Sequence, residues 1–251
     1  MTVLELKESR VNISDDANGL VHELAERICV LAKEAINARN QFTIALSGGT
    51  TPKALYELLA TPEYSGRINW EKVLVFLGDE RCVPHNHPDS NFGMAKAAWL
   101  SKVNIPPSNV FATEGQDKDP EQAAKHYEES IRRAFGVHSD FPVFDLVLLG
   151  LGPDGHTASL FPDSAALGQK QRIFVANFSP KMQAWRMTLT FPAINHARNI
   201  AFLVSGSSKA AIIDDIFHSQ TKKYPAQFVQ PDNGKLEWYM DRAAAASLSG
   251  G

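Results

Sequence analysis

The sequence predicts an α/β fold of three layers built on a mainly parallel sheet. Three observations predict it. Short apolar runs, FTIAL at 42–46, VLVFL at 73–77 and NIAFLV at 199–204, alternate with longer segments of helical periodicity. That is the order of strands joined by crossover helices. The run FDLVLLGLG at 144–152 is apolar almost throughout, as a central parallel strand covered on both faces must be. Four apolar runs end in glycine-rich or polar segments, SGGTTP, GDERCVP, GPDGHTASLFP and SGSSKA. A parallel sheet brings such ends to one edge, where ligands collect.

The elements follow in order. From Asp16 to Asn40 the residues Leu20, Val21, Leu24, Ile28, Leu31 and Ile36 recur at helical spacing. FTIAL is a strand, and TPKALYELLA a helix expected to have Thr51 as N-cap and Pro52 at its first position. VLVFL and SNFGMAKAAWL repeat the strand–helix unit. EQAAKHYEESIRRAF at 121–135 is a helix capped by Asp119 with Pro120 next. RIFVANF and RMTLTF read as further strands, the second alternating Met187, Leu189 and Phe191 with Thr188 and Thr190. NIAFLVSG leads into the helix SSKAAIIDDIF, and LEWYMD is a short terminal strand. There is no repeat and no low-complexity linker, so residues 1–251 are expected to form a single domain.

Composition narrows the function classes. Of the 251 residues, 44% are apolar and 21% charged, enough to bury a core. The net charge is −3 with no basic block, which argues against nucleic acid as a partner. Two cysteines, Cys29 and Cys82, make no disulfide framework and fit a reducing compartment. The start, MTVLELKESRVNISDDANGL, is polar and acidic, without the basic and apolar regions of a signal peptide. No apolar run reaches the ~18 residues of a membrane helix. A soluble cytoplasmic protein with no membrane partner is expected. The tail AAAASLSGG is expected to be flexible and disordered at its end.

The polar segments suggest chemistry. In LSGGTTPKAL, Gly48 and Gly49 let the backbone approach a ligand, and amides at the helix start favour an anion. Ser47, Thr50 and Thr51 add hydroxyls, and phosphate is the natural candidate. The spacing matches neither a P-loop nor a nucleophile elbow. A plain strand–helix turn is the alternative. VSGSSKAAI has the same design, with Lys209 in the first turn, where the helix dipole disfavours a cation unless an anion is bound. Arg186 is a second candidate cation, suited to bidentate phosphate contacts, and a solvent-facing lysine and a surface arginine are the alternatives. In GLGPDGHTASLFP the glycines and Pro153 force a tight turn that displays Asp154 and His156 at the end of the most buried strand. A histidine there can accept a proton near neutral pH, and Asp154 can orient it. A hydrogen-bonded structural histidine is the alternative. A metal reading fails for want of a third ligand, since His85 and His87 lie in a proline-broken loop.

SGGTTP, GDERCVPHNHPDSNFGMA, DLVLLGLGPDGHTASLFP, RMTLT and SGSSKA, in this order and spacing, resemble the 6-phosphogluconolactonase family. The resemblance runs from about residue 15 to 242. It implies a Rossmann-like α/β fold, no metal or organic cofactor, and a sugar-phosphate lactone as substrate in the oxidative pentose phosphate pathway. It assigns Ser47, Gly48, Gly49 and Thr50, with Arg186 and Lys209, to the phosphate. It makes His156 the general base, counts Asp154 and Asp79 with it among the catalytic candidates, and sets Asp79 and Arg81 on the sugar side. The related glucosamine-6-phosphate deaminases resemble DGHIAFNEP at the histidine motif and MDEYVG where this chain has GDERCVP. Their glutamate falls on Phe161, which cannot supply acid–base chemistry. A non-enzymatic sugar-phosphate sensor is a further alternative, disfavoured by the lack of a helix-turn-helix segment and by the presence of both His156 and Asp79. Monomer and weak homodimer both stay open.

Overall fold

A computed structural model describes residues 1–6, 9–113 and 119–248. Ten strands are described: β1 (Thr2–Leu6), β2 (Ser9–Ser14), β3 (Phe42–Leu46), β4 (Val73–Leu77), β5 (Asp79–Arg81), β6 (Leu146–Leu149), β7 (Phe174–Ser179), β8 (Ala184–Leu189), β9 (Asn199–Val204) and β10 (Lys235–Asp241). The α-helices are α1 (Ala17–Arg39), α2 (Thr50–Leu59), α3 (Pro62–Ser65), α4 (Asn91–Ala95), α5 (Pro120–Phe135), α6 (Phe191–Asn195) and α7 (Ala210–His218).

The main sheet has the order β1-β2-β10-β9-β6-β3-β4. Every pairing in it is parallel except β1 with β2. All residues of β3 and β6 are buried, so both faces of the sheet's centre are covered. That accounts for their unbroken apolar runs. α1 packs on β2, β3 and β10 and beside α2, with Leu20, Leu24, Ile28 and Ala32 turned inward. Phe202 stacks on Trp238 across the β9–β10 pair, and Phe76 on Phe111 beyond β4.

The structure corrects the expected cap of α2 and adds two features that the sequence does not predict. RIFVANF and RMTLTF do not join the main sheet. As β7 and β8 they pair antiparallel and form a second sheet with β5, in the order β5-β8-β7. The connection between them is too short for a parallel crossover, which takes a dozen or more residues. Thr51 is not the cap of α2. Gly49, at φ 107°, holds that place and α2 begins at Thr50. The polar, acidic N-terminal segment, for which the sequence predicts no element, supplies β1 and β2. The tail is ordered as far as it is described: Ala244, Ala245 and Leu248 are buried, and the Ala244 amide donates to Asp241 Oδ1 over 2.7 Å. The expected disorder at 249–251 lies outside the described residues.

The second sheet hangs from the end of β4. The Gly78 amide donates to the Leu46 carbonyl (2.8 Å), and the Leu189 amide to the Gly78 carbonyl (2.8 Å). The carboxyl ends of β9, β6, β3 and β4 are therefore neighbours along one edge, with β5 and β8 beside them.

Candidate active site

His156 stands in a tight turn just past β6. Gly155 takes φ +74°, a left-handed conformation that favours glycine. Gly152 is equally required, because a Cβ there would overlap the His156 ring. Inside the turn the Gly152 amide donates to the His156 carbonyl (2.8 Å) and the Gly155 amide to the Gly152 carbonyl (3.1 Å). His156 Nδ1 donates to Asp154 Oδ1 over 2.5 Å. An ionised carboxylate can only accept, so Nδ1 carries a proton, and in its neutral form the ring has its lone pair on Nε2. Burial pushes the Asp154 carboxyl up, but the hydrogen bond and charge of His156 outweigh it and hold the group below the usual carboxylate range. The other face of the ring meets Phe161, centroids 4.7 Å apart.

The segments flanking this turn come from the neighbouring strands. Lys209, past β9, donates to the Leu151 carbonyl over 2.8 Å. Burial pushes its ammonium below the ordinary lysine value, against the pull of Asp154. Ser47, past β3, is buried beneath the turn, its Oγ close to Gly150. Gly48, Gly49 and Thr50 follow and open α2, with Gly49 and Thr50 exposed.

Asp79 and Glu80 open β5 and are both buried. Asp79 accepts from Ser159 Oγ (2.7 Å) and Asn91 Nδ2 (3.2 Å). Arg81 pairs in register with Arg186 across β5 and β8, two cations side by side. Burial and then Arg81 push the Arg186 guanidinium down, while Asp79 pulls it up. Arg186 donates to the Trp185 carbonyl and Arg81 to the Asp89 carbonyl. Arg186 thus stands with Arg81 and Asp79, whereas Lys209 stands with the His156 turn.

The loop after β5 is shaped by Glu80, which is fully buried. Its oxygens accept from the amides of Arg81 (2.7 Å), Asn91 (2.8 Å) and Phe92 (2.8 Å) and from Ser90 Oγ (3.0 Å). His85 contacts the Thr113 carbonyl and packs on Phe92, a structural role in the loop. A groove of about 1430 Å³ runs between β10, α1 and the α7 end, and no candidate site residue lines it.

A profile described as glucosamine-6-phosphate isomerases/6-phosphogluconolactonase matches residues 15–238. The chain belongs to that family. A 6-phosphogluconolactonase of Synechocystis is 46% identical over 226 residues, 88% of this chain and 91% of the relative. The Homo sapiens 6-phosphogluconolactonase is 40% identical over 88% of this chain and 84% of its own. The solved 6-phosphogluconolactonase from Trypanosoma cruzi superposes with a TM-score of 0.85 at 30% identity, covering 99% of this chain and 100% of that one. A monomeric glucosamine-6-phosphate deaminase shares the fold, with a TM-score of 0.78 at 19% identity.

Within this family fold, residues that carried no signal in the sequence hold the candidates in place. Ser159 and Asn91 grip Asp79, Glu80 shapes the loop, and the buried Tyr56 hydroxyl donates to the Ser47 carbonyl over 2.8 Å. Ser159 is 80 residues from Asp79 in the chain, so local spacing could not find that contact.

Proposed function

We propose that the chain hydrolyses 6-phospho-D-glucono-1,5-lactone to 6-phosphogluconate, the second step of the oxidative pentose phosphate pathway. The observation that carries this reading is the setting of His156: oriented by Asp154 on one nitrogen and flanked by the apolar ring of Phe161. That is equipment for one base acting on water. The deaminase reaction needs added acid–base capacity beside the histidine, where this chain has Phe161. The relatives named 6-phosphogluconolactonase point the same way.

His156 Nε2 takes a proton from a water that attacks the lactone carbonyl, and the imidazolium returns it to the departing ring oxygen. Such acid–base work contributes ~10²–10⁴-fold. The tetrahedral oxyanion needs donors. The amides of Gly152, Gly155 and His156 are already engaged within the turn, which favours a cation for that role. Ser47, Gly48, Gly49 and Thr50, with Lys209 and Arg186, hold the remote phosphate, whose binding positions the carbonyl. Two free cysteines fit a reducing, cytoplasmic setting.

The test is a coupled assay on freshly generated 6-phosphogluconolactone, with glucosamine 6-phosphate as the parallel control. His156→Ala is expected to lower lactone turnover by ~10²–10⁴-fold with the fold retained. Lys209→Ala is expected to weaken phosphorylated lactones selectively. Turnover of glucosamine 6-phosphate, or normal lactone turnover by His156→Ala, would overturn the reading.

A further inference from the structure

Asn91 opens α4 and is 3% exposed. Its Nδ2 donates to the Asp79 carbonyl (2.9 Å) and to Asp79 Oδ1 (3.2 Å), and its backbone amide donates to Glu80 (2.8 Å). Two acceptors on one side fix the amide's orientation, because only the nitrogen end can face them. Oδ1 therefore points the other way, toward Gly48. It is buried without a hydrogen-bond partner. A Cβ at position 48 would overlap the carboxamide. Buried acceptors are rarely left unpaired, and one kept so against the proposed anion turn calls for an explanation.

The connections around Asn91 supply it. One end of its side chain abuts Gly48. The other holds Asp79, and Asp79 accepts from Ser159 Oγ over 2.7 Å. Ser159 lies three residues after His156, and its amide donates to Thr188 of β8 over 3.2 Å. A continuous line of contacts thus runs from the glycine turn to the segment that carries the base. Remote binding energy assists at a reacting carbonyl only when the two ends of the substrate are held at a fixed span, and a ~1 Å misplacement costs ~10²-fold.

We infer that Asn91 is a positioning residue: its carboxamide is the spacer that sets the distance from the phosphate turn at Gly48 to Asp79 and, through Ser159, to the His156 segment. This rests on the lactonase reading and deepens it. Asn91 makes the enzyme favour phosphorylated lactones without touching the reacting atoms. It also explains why position 48 carries no side chain, since the carboxamide occupies that space.

The test compares wild type, Asn91→Ala, Asn91→Ser, Gly48→Ala and the Gly48→Ala/Asn91→Ala double variant. Each is assayed on 6-phosphogluconolactone and on unphosphorylated glucono-1,5-lactone, and titrated with inorganic phosphate by calorimetry. Asn91→Ala is expected to cut the kcat/KM preference for the phosphorylated lactone at least ~10-fold, with Asn91→Ser showing the same direction should the alanine variant fold poorly. General structural damage would lower both lactones alike and leave that preference intact. Gly48→Ala is expected to weaken phosphate binding strongly in the wild-type background and at least ~10-fold less once Asn91 is alanine, since contacting residues couple. An unchanged preference, or additive effects at 48 and 91, overturns the inference. If wild type hydrolyses neither lactone, the functional reading fails, while the coupling seen with phosphate still decides whether Asn91 is the spacer.

Discussion

His156 Nδ1 and Asp154 Oδ1 lie 2.5 Å apart within a single turn, two residues from each other in the chain. The carboxylate fixes which ring nitrogen carries the proton. Asp154→Asn breaks that rule, because an amide can present its nitrogen and allow the other tautomer. Nε2 would then carry a hydrogen and could not act as the proposed base. The expected result is a fall in kcat of about 10²-fold, with little change in KM, seen in steady-state assays. Turnover within twofold of wild type would remove Asp154 from this role.

The same pair predicts a pH effect on stability. Burial raises the Asp154 carboxyl, but His156 holds the folded-state value below the ordinary one. A depressed acid contributes stability that is present above its unfolded value, about 3.9, and is lost as pH falls through the lower folded value. Urea titrations of wild type and Asp154→Asn are therefore expected to differ at pH 6 and to converge in the acid range below ~3. A gap that widens toward low pH would contradict the pairing.

Glu80 gives a stability prediction of a different kind. Its two oxygens accept four donors, three of them backbone amides that cannot turn round. Burial raises this carboxyl even against them. Glu80→Gln relieves the buried charge but sets an NH₂ group against at least one amide donor. A buried donor left unpaired costs about 1–3 kcal/mol. The variant is expected to lose stability on that scale, read from the shift in urea midpoint. Its phosphorylated-lactone kinetics are expected to suffer as well, because Asn91 hangs on the same carboxylate.

The sheet, its edge and the turn at His156 were legible because their signals are local. Continuous apolar runs marked β3, β4, β6 and β9, and glycines marked where the chain must turn. Asp119 and Pro120 announced the start of α5, where Asp119 accepts from the Glu121 and Gln122 amides. The second sheet was not legible. Nothing in RMTLTF says that it pairs with Asp79–Arg81, more than a hundred residues earlier, instead of with the main sheet. β2 was hidden for a related reason. Its polar residues include Asn12, buried because Nδ2 donates to the Trp238 carbonyl (3.4 Å), a partner at the far end of the chain. Glu80 and Asn91 lie within twelve residues of their partners, but only the folded loop shows which amides and hydroxyls turn toward them.

Gly155 separates backbone strain from packing in one comparison. At φ +74° it lies where an L-residue costs roughly 1–2 kcal/mol. A Cβ there would also press on Cβ and the ring of Tyr224. That ring cannot easily retreat, because its hydroxyl donates to Asp215 Oδ2 (2.6 Å) and the Ala226 amide donates to the Gly155 carbonyl (3.0 Å). Gly136, which ends α5 at φ +64°, has nothing within 4 Å of its added Cβ. Gly136→Ala is thus expected to lose only the conformational part, roughly 1–2 kcal/mol, with lactone turnover intact. Gly155→Ala carries the same strain plus overpacking of about 1–3 kcal/mol, and it shifts the turn that aims His156. Chemical denaturation and the lactone assay on both variants check this. Equal losses of stability and equal turnover would mean that Tyr224 does not brace the His156 turn.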